Sequence, residues 1–375
     1  YFALAKKDNV FGFNVYLGGK NTQIAQDVNI FLYKEELFEF FKAFIQMFNK
    51  YGLRLDRQRN RLYNLIEEIG IEKLIEYLKE FYNKKLETKG ELLLEKKNFN
   101  EFEKLKNSKY SFCYHSLFAR IEASELLEIA NWAIKDDLEV RLGTDQQIYI
   151  FNLLEPKASI IHYNGNRTML ACAGSDFCPY AYWNIKEEIQ SLPLEKIERN
   201  NILVGFSGCL KGCAKHEHSD IGLVGLKSDV HGKREKTARI YLGGLYTFGE
   251  TNARKIFNAI PLYSLKEILE IIIDEYEQSG YPTFESFSKN ILNNFDTDFL
   301  SSWFLAKFKT KEKVYLKKNL NEIELFKKYF KKYSFYNIEE NNDFYNITQI
   351  LYKDLWFNKE SKEDKKLNTT YVLKA

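Results

Sequence analysis

Two stretches far apart in the chain carry the same succession of apolar and polar positions. An alternating run at Phe13–Leu17 ends in Tyr16-Leu17-Gly18-Gly19, and a second run at Ala238–Leu242 ends in Tyr241-Leu242-Gly243-Gly244. Such runs predict a strand in each place. A loop with Gly, Asn or Thr follows each Gly-Gly pair, and then a long amphipathic helix. The first helix is predicted from Lys34 to Tyr51, with apolar residues at Leu37, Phe41, Phe44 and Phe48 and a stop at Gly52. The second is predicted from Ser264 to Ser279, with Leu265, Leu269, Ile272 and Tyr276 on one face and a stop at Gly280. Glycine just past the last periodic residue is a common helix end. The shared order of strand, Gly-Gly, loop, helix and Gly predicts a duplication, with two related α/β halves packed around one site.

A smaller unit is predicted between the halves. Ser111–Ile121 reads as a strand, Ala123–Ile134 as a helix opened by Glu125, and Glu139–Leu142 and Gln147–Phe151 as strands about Gly143-Thr144-Asp145. The order β-α-β-β suits a ferredoxin-like half-domain. From about Ser301 the texture changes: lysines and aromatics interleave, as in Lys327-Lys328-Tyr329-Phe330-Lys331-Lys332, and glycine is absent to the end. This predicts a helical C-terminal extension with a solvated amphipathic surface. Its functional alternative is a docking face for an acidic electron donor. The expected fold class is α+β, two repeated α/β halves with an intervening ferredoxin-like half-domain. The expected division is 1–105 for the first half, 106–155 for the half-domain, 156–300 for the second half and 301–375 for the extension.

Composition narrows the function classes. The chain has 375 residues, 45% hydrophobic and 29% charged, the balance of a soluble globular protein. A net charge of +3 gives no strong nucleic-acid footprint. No apolar stretch is long enough for a membrane span, and no signal peptide is visible, so a cytoplasmic location is expected. The chain starts at Tyr1 without Met, directly in strand-like sequence, and reads as an N-terminally truncated fragment.

The cysteines change the picture most. There are five, an odd count that argues against a secreted disulfide framework. Cys113 stands alone; the others form Cys172-Ala-Gly-Ser-Asp-Phe-Cys178-Pro and Cys209-Leu-Lys-Gly-Cys213. Paired zinc ligands are usually separated by two to four residues, so the five-residue gap between Cys172 and Cys178 fits zinc poorly. Four thiolates suit a cubane iron–sulfur cluster, one per iron. Gly174, Gly208 and Gly212 would let backbone N–H groups turn toward the sulfurs. Pro179 is expected in the first turn of a helix through Ile185, whose dipole would favour a thiolate at its mouth. Zinc and four unconnected buried cysteines are the alternatives.

These motifs, with Ser207-Gly208-Cys209-x3-Cys213, the following Asp220-Ile221-Gly222-Leu223-Val224-Gly225 and the Gly-Phe-Asn-Val-x-Leu-Gly-Gly run at 12–19, resemble the sirohaem nitrite and sulfite reductases over roughly residues 1–300. The resemblance implies a 4Fe–4S cluster held by Cys172, Cys178, Cys209 and Cys213, with Cys213 bridging it to the sirohaem iron. Sirohaem is rich in carboxylates, so basic residues should line it. Arg57 and Arg61 fall in Asp56-Arg57-Gln58-Arg59-Asn60-Arg61, read as the start of a helix through Ile69, where i,i+4 spacing puts both on one face. The resemblance also carries Arg141 and Gln146, an Arg-x4-Gln pair on the half-domain hairpin, toward the haem region. His115, His162, His216, His218 and His231 show no ligand spacing, and a surface role is expected for each, with a proton-donor role open to His216 and His218.

The implied reaction is six-electron reduction of sulfite to sulfide, with nitrite to ammonia as the rival. Pro179 directly after Cys178 resembles the sulfite branch. The family's substrate-binding arginines and lysines have no match here; their counterparts would precede Tyr1, and Lys20 stands where the family often has another Gly. No flavin or nicotinamide fingerprint occurs, so a separate ferredoxin or flavoprotein would supply electrons. A zinc-bound or degenerate non-catalytic homologue is the reading from a different class.

Overall fold

The computed structural model describes the chain apart from residues 21–22, 55, 94–99, 116–119, 161–167, 248, 319, 337–342 and 357–375. The chain divides into two compact units, residues 1–97 with 247–249, and 98–246 with 250–375. Among the described residues no helix is long and apolar enough to cross a membrane.

The first unit contains β1 (Phe2–Lys7), β2 (Val10–Leu17), β3 (Gln26–Tyr33), α1 (Leu37–Tyr51), α2 (Leu62–Ile69), α3 (Ile71–Lys79) and β4 (Glu91–Leu92). Its sheet has the order β3-β2-β1-β4, and its described pairings are antiparallel. Val15 and Leu17 point to the core with Phe40, Ala43 and Met47 of α1 and Leu74 and Leu78 of α3. The buried face of α1 is therefore displaced by one residue from the expected stripe: Phe40 is buried while Phe41 is exposed. Four phenylalanines lie within Phe38–Phe44, so helical period alone leaves the face ambiguous.

The second unit begins with β5 (Phe102–Lys104), β6 (Tyr110–Tyr114), α4 (Ala123–Lys135), β7 (Glu139–Leu142) and β8 (Ile148–Leu153). These form an antiparallel sheet in the order β5-β6-β8-β7, with Ile129 and Trp132 of α4 packed on Phe112 and Ile150. The β-α-β-β order is as expected, with β5 an additional strand. There follow β9 (Met169–Ala171), α5 (Leu194–Arg199), β10 (Val204–Ser207), β11 (Ile221–Val230), β12 (Lys233–Leu242), β13 (Arg254–Pro261), α6 (Leu262–Ser279), α7 (Phe284–Asn290), α8 (Thr297–Thr310), α9 (Glu322–Phe330) and α10 (Phe344–Trp356). Their sheet has the order β13-β12-β11-β10-β9; β9, β10 and β11 run parallel, and β12 and β13 are antiparallel additions.

The two Gly-Gly segments have one topology. Each runs strand, Gly-Gly, loop, strand, helix: β2, β3 and α1 in the first unit, β12, β13 and α6 in the second. The second strand of each set is absent from the sequence-based expectation. Aligning Tyr16 with Tyr241 aligns Asn14 with Arg239, and the β2–β3 and β12–β13 pairings both lose register there. Gly18 and Gly243 both have positive φ, +74° and +87°. A shared bulge and a shared left-handed glycine make chance similarity a poor account. The helix ends differ: Gly280 is left-handed at φ +74°, whereas Gly52 is extended at φ −60°.

The C-terminal helices are core, not appendage. Phe299, Trp303, Phe304, Phe326 and Phe330 are buried in the same apolar cluster as α6 and the five-stranded sheet, while Lys327, Lys328, Lys331 and Lys332 face solvent. The lysines follow the expected solvated surface; the interleaved aromatics fill the interior. Helix α8 runs through the expected boundary at residue 301.

Candidate metal centre

The cysteine loops meet because of strand direction. β9 and β10 are adjacent and parallel, with Ala171 beside Phe206, so their carboxyl ends open on the same edge of the sheet. Cys172 follows β9 directly, and Cys209 lies just beyond the end of β10. In open α/β sheets this end of the strands is the usual binding side. The Cys172 N–H continues the ladder to the Phe206 carbonyl at 3.1 Å, and the Gly208 N–H donates to Cys172 Sγ at 3.0 Å. A Cβ on Gly208 would lie 2.8 Å from Ala181 Cβ and 3.1 Å from that sulfur, so a side chain there would displace the donor or the thiol.

Backbone turns, not a helix, carry Cys178. Its N–H bonds the Gly174 carbonyl at 3.0 Å, with Gly174 at φ +78°, and the Ala181 N–H bonds the Cys178 carbonyl at 3.2 Å. The expected helix from Pro179 to Ile185 does not form; a 3-10 turn appears only at Ile185–Glu187, so no helix dipole reaches Cys178. Cys172, Cys178 and Cys209 are half-buried and Cys213 is exposed. Burial pushes the Cys213 thiol up, neighbouring Cys172, Cys209 and Cys178 add to it, and Lys211 opposes them. The Cys213 thiol thus senses the other three. Among the described residues no three His, Cys, Asp or Glu side chains close on a single metal ion. Four thiols, with the Gly208 N–H donated to one of their sulfurs, suit an iron–sulfur cluster. Cys113 stands apart in β6, against Tyr149.

Beneath the second loop, the Asp220–Gly225 motif has a packing purpose. A Cβ on Gly222 would lie 1.8 Å from the His216 carbonyl oxygen, and one on Gly205 2.3 Å from that of Ala214. Both glycines let the loop after Cys213 lie directly on the sheet. We expect Gly222→Ala to cost at least about 1–3 kcal/mol, seen as a lower urea midpoint. A midpoint equal to the parent's would mean that the loop does not rest there. Asp220 accepts the Leu203 N–H at 2.8 Å and the Tyr246 hydroxyl at 3.3 Å, tying β11 to β10.

His216 is buried rather than on the surface. Its Nδ1 is 3.1 Å from Ser207 Oγ, which accepts the Ala214 N–H at 3.2 Å, and its ring lies 4.8 Å from that of Tyr241. Burial holds the imidazole down at about 4, and His218 and Arg239 add to it. The unfolded chain, at 6.5, binds the proton more readily, so stability falls as pH drops from 6.5 toward 4. The full difference is about 3 kcal/mol. An NMR titration should find this ring neutral at pH 5.5, and His216→Gln should flatten that part of the stability profile. A ring titrating near 6.5 would refute it. His115 is also buried, His218 is half-buried, His231 is exposed, and His162 lies outside the described residues.

The basic candidates are placed differently from expectation. Arg57 sits in a 3-10 turn, Arg57–Arg59, separate from α2, and Arg61 is the extended residue preceding α2 at φ −95°. The one-face argument from i,i+4 spacing therefore fails, because the backbone leaves the helix between them. Both are exposed in the first unit, as charges that could meet a polyanion must be. Arg141 is exposed and bonds its own strand neighbour Glu139 at 2.6 Å. Gln146, at φ +66° in the β7–β8 turn, turns its amide onto the protein: Nε2 donates to the Ala171 carbonyl at 2.7 Å, and Oε1 accepts the Ala171 N–H at 3.1 Å. Sequence reading missed Lys186, whose ammonium burial pushes down, Cys172 raises and Arg120 lowers. It also missed the ion pair of Lys215 with Asp145. These are contacts between distant segments and leave no local pattern.

Strand ends on a mixed sheet, four thiols on two loops and an N–H donated to one sulfur are features compatible with an iron–sulfur type of metalloprotein. The profile of the nitrite and sulphite reductase 4Fe-4S domain family matches residues 1–86 and 163–286, more than half of the chain. The chain belongs to this family, whose domain binds a 4Fe–4S cluster and sirohaem. It is 26% identical over 299 residues to a ferredoxin–nitrite reductase of Synechococcus elongatus, covering 73% of this chain and 58% of that protein. It is 24% identical over 265 residues to sulfite reductase [ferredoxin] 2 of Mycolicibacterium paratuberculosis, covering 62% and 47%. The fold resembles that of Mycobacterium tuberculosis NirA with a TM-score of 0.67 at 21% identity, covering 79% of this chain and 60% of that one. The chain spans about half the length of the curated relatives it matches.

Proposed function

We propose that this chain is the cluster-bearing part of a six-electron reductase of a small oxyanion, sulfite to sulfide. The observation that supports the reading is the adjacency of the β9 and β10 ends, from which the Cys172 and Cys209 loops leave, with the Gly208 N–H directed at Cys172 Sγ. In it, Cys172, Cys178, Cys209 and Cys213 would hold the cluster, and Cys213, the exposed member, would be the thiol shared with the sirohaem. When bound, these groups supply electron storage and the place where the anion loses its oxygens. The chain's part is to fix the thiols, direct N–H dipoles at sulfur, and present Arg57 and Arg61 to cofactor carboxylates. Nitrite to ammonia is the second reading, favoured by relatives named ferredoxin–nitrite reductase. Pro179 after Cys178 favours sulfite. The same names favour a separate ferredoxin over a flavoprotein as electron donor. A cytoplasmic location belongs to this reading, although several plant relatives are named chloroplastic.

The test is to purify the complete gene product anaerobically, assay iron, acid-labile sulfide and sirohaem, and measure sulfite and nitrite reduction side by side. A haem spectrum with faster turnover of sulfite is expected. A colourless zinc protein would overturn the reading, and faster nitrite turnover would move it to the second.

A further inference from the structure

The tip of the β7–β8 hairpin touches both cysteine loops at once. The Gln146 amide makes two hydrogen bonds to Ala171, the residue before Cys172. Its neighbour Asp145 pairs with Lys215, two residues past Cys213. β9 is the edge strand of its sheet, and its other edge is bonded to β10. The outward N–H and C=O of Ala171 would otherwise end the ladder at the point where the first cysteine loop leaves. A primary amide presents one donor and one acceptor, as a peptide does, so Gln146 continues the sheet by a single residue. The hairpin tip is itself fixed: the Gly143 N–H bonds the Gln147 carbonyl at 2.8 Å, and the Asp145 N–H bonds Gln147 Oε1 at 3.1 Å. Both contact residues hold left-handed backbone, Gln146 at φ +66° and Lys215 at φ +55°, a conformation that side chains other than glycine adopt at a cost.

We propose that this hairpin tip is a positioning clamp for the metal centre, with Gln146 setting the Cys172 loop and Asp145, through Lys215, setting the Cys213 loop. The inference rests on the reading that these loops hold a cluster. The β-turn adds a third bridge to loops already joined by β9–β10 pairing and by the Gly208 N–H to Cys172 Sγ and Tyr182 N–H to Gly208 carbonyl bonds. A cluster needs its thiols held at fixed separations, and a loop free at its far end would let one thiol drift and expose iron. Gln146 and Asp145 are positioning residues: they act through Ala171 and Lys215, not on iron.

The test uses the complete gene product with Gln146→Leu and Asp145→Asn, and Ser302→Ala as a comparison. Ser302 bonds the Phe344 carbonyl and Thr348 among the C-terminal helices, so its loss lowers stability without touching the cysteine loops. Amide exchange at Ala171, the rate of iron release to a chelator, the reduced-state electron paramagnetic spectrum and the thermal midpoint are measured on each. We expect Gln146→Leu to expose the Ala171 amide to exchange. We expect either clamp variant to release iron about tenfold faster, the effect of losing one or two hydrogen bonds, with a changed spectrum. Ser302→Ala should leave both unchanged. Parental exchange, release and spectrum in both clamp variants would overturn the proposal. So would equal acceleration in Ser302→Ala, which would show that iron release tracks global stability. If Gln146→Leu fails to fold, Asp145→Asn alone decides by the same criteria. A parent protein with no four-iron centre would instead overturn the metal-centre reading, and the clamp with it.

Discussion

In the proposed reductase, serine at position 213 should abolish reduction of both sulfite and nitrite in protein that still carries iron. That is the expected result of replacing the one exposed thiol of the four, the thiol that the proposed function extends toward the sirohaem. Cys172, Cys178 and Cys209 are half-buried, and Cys172 also accepts the Gly208 N–H. Serine at any of those three substitutes a hard oxygen for a soft sulfur at one iron, which lowers affinity and moves the potential but can leave a cluster in place. In the proposed function, serine at 213 would do this and would also remove the thiolate through which Cys213 would join cluster and haem. The four variants should therefore separate: partial activity in proportion to retained cluster for the first three, none for Cys213→Ser at equal cofactor content. The measurement is turnover beside iron, sulfide and haem assays on the complete gene product. Near-parental turnover of Cys213→Ser with cofactors bound would give the bridging role to another residue.

Lys307→Met should cost about 3–5 kcal/mol, the usual loss when one partner of a buried ion pair is removed. Glu275 of α6 is 1% exposed and Lys307 of α8 5% exposed, with Nζ 2.6 Å from Oε1. Trp303 Nε1 donates to the same oxygen at 2.7 Å, and the Leu316 N–H donates to Oε2 at 2.8 Å. One carboxylate therefore ties α6, inside the family-matched region, to α8 and the segment after it, outside that region. Burial pushes the Glu275 carboxyl up, against Lys307, Trp303 and the Leu316 N–H. Without Lys307 it would rise further. Its unfolded value is 4.5, so the folded variant binds the proton more readily, and stability is lost as pH rises from 4.5 through the folded value. The deficit of Lys307→Met should thus be smaller at pH 5 than at pH 8. Adding Glu275→Leu should remove the pH dependence but leave the double variant less stable than the parent, because the Trp303 and Leu316 donors then lack an acceptor, at about 1–3 kcal/mol each. Urea melts at the two pH values check this. A single-variant loss below about 1 kcal/mol at pH 8 would mean that solvent reaches the pair.

What was legible in the sequence was local. Alternation placed β2, β7 and β12, the glycine at 280 ended α6, and the cysteine spacing marked the two loops that leave β9 and β10. Each signal lies within a few residues, where pleat, helix period and turn chemistry act. The tertiary structure decided whatever needed a partner from elsewhere. β3 and β13 are strands because β2 and β12 supply the other half of their ladders. Among the phenylalanines of α1, the sheet beneath chose Phe40 over Phe41. The aromatics among the C-terminal lysines became core because α6 and the five-stranded sheet offered an apolar face to cover. Cys178 lies in turns rather than at a helix mouth. The cysteine loops meet because β9 and β10 run parallel, and Gln146 serves Ala171 because a hairpin from the preceding sheet arrives at an open strand edge. Hydrogen-bond pairing and burial are satisfied across space, so their outcome is fixed only once the distant segments are in place.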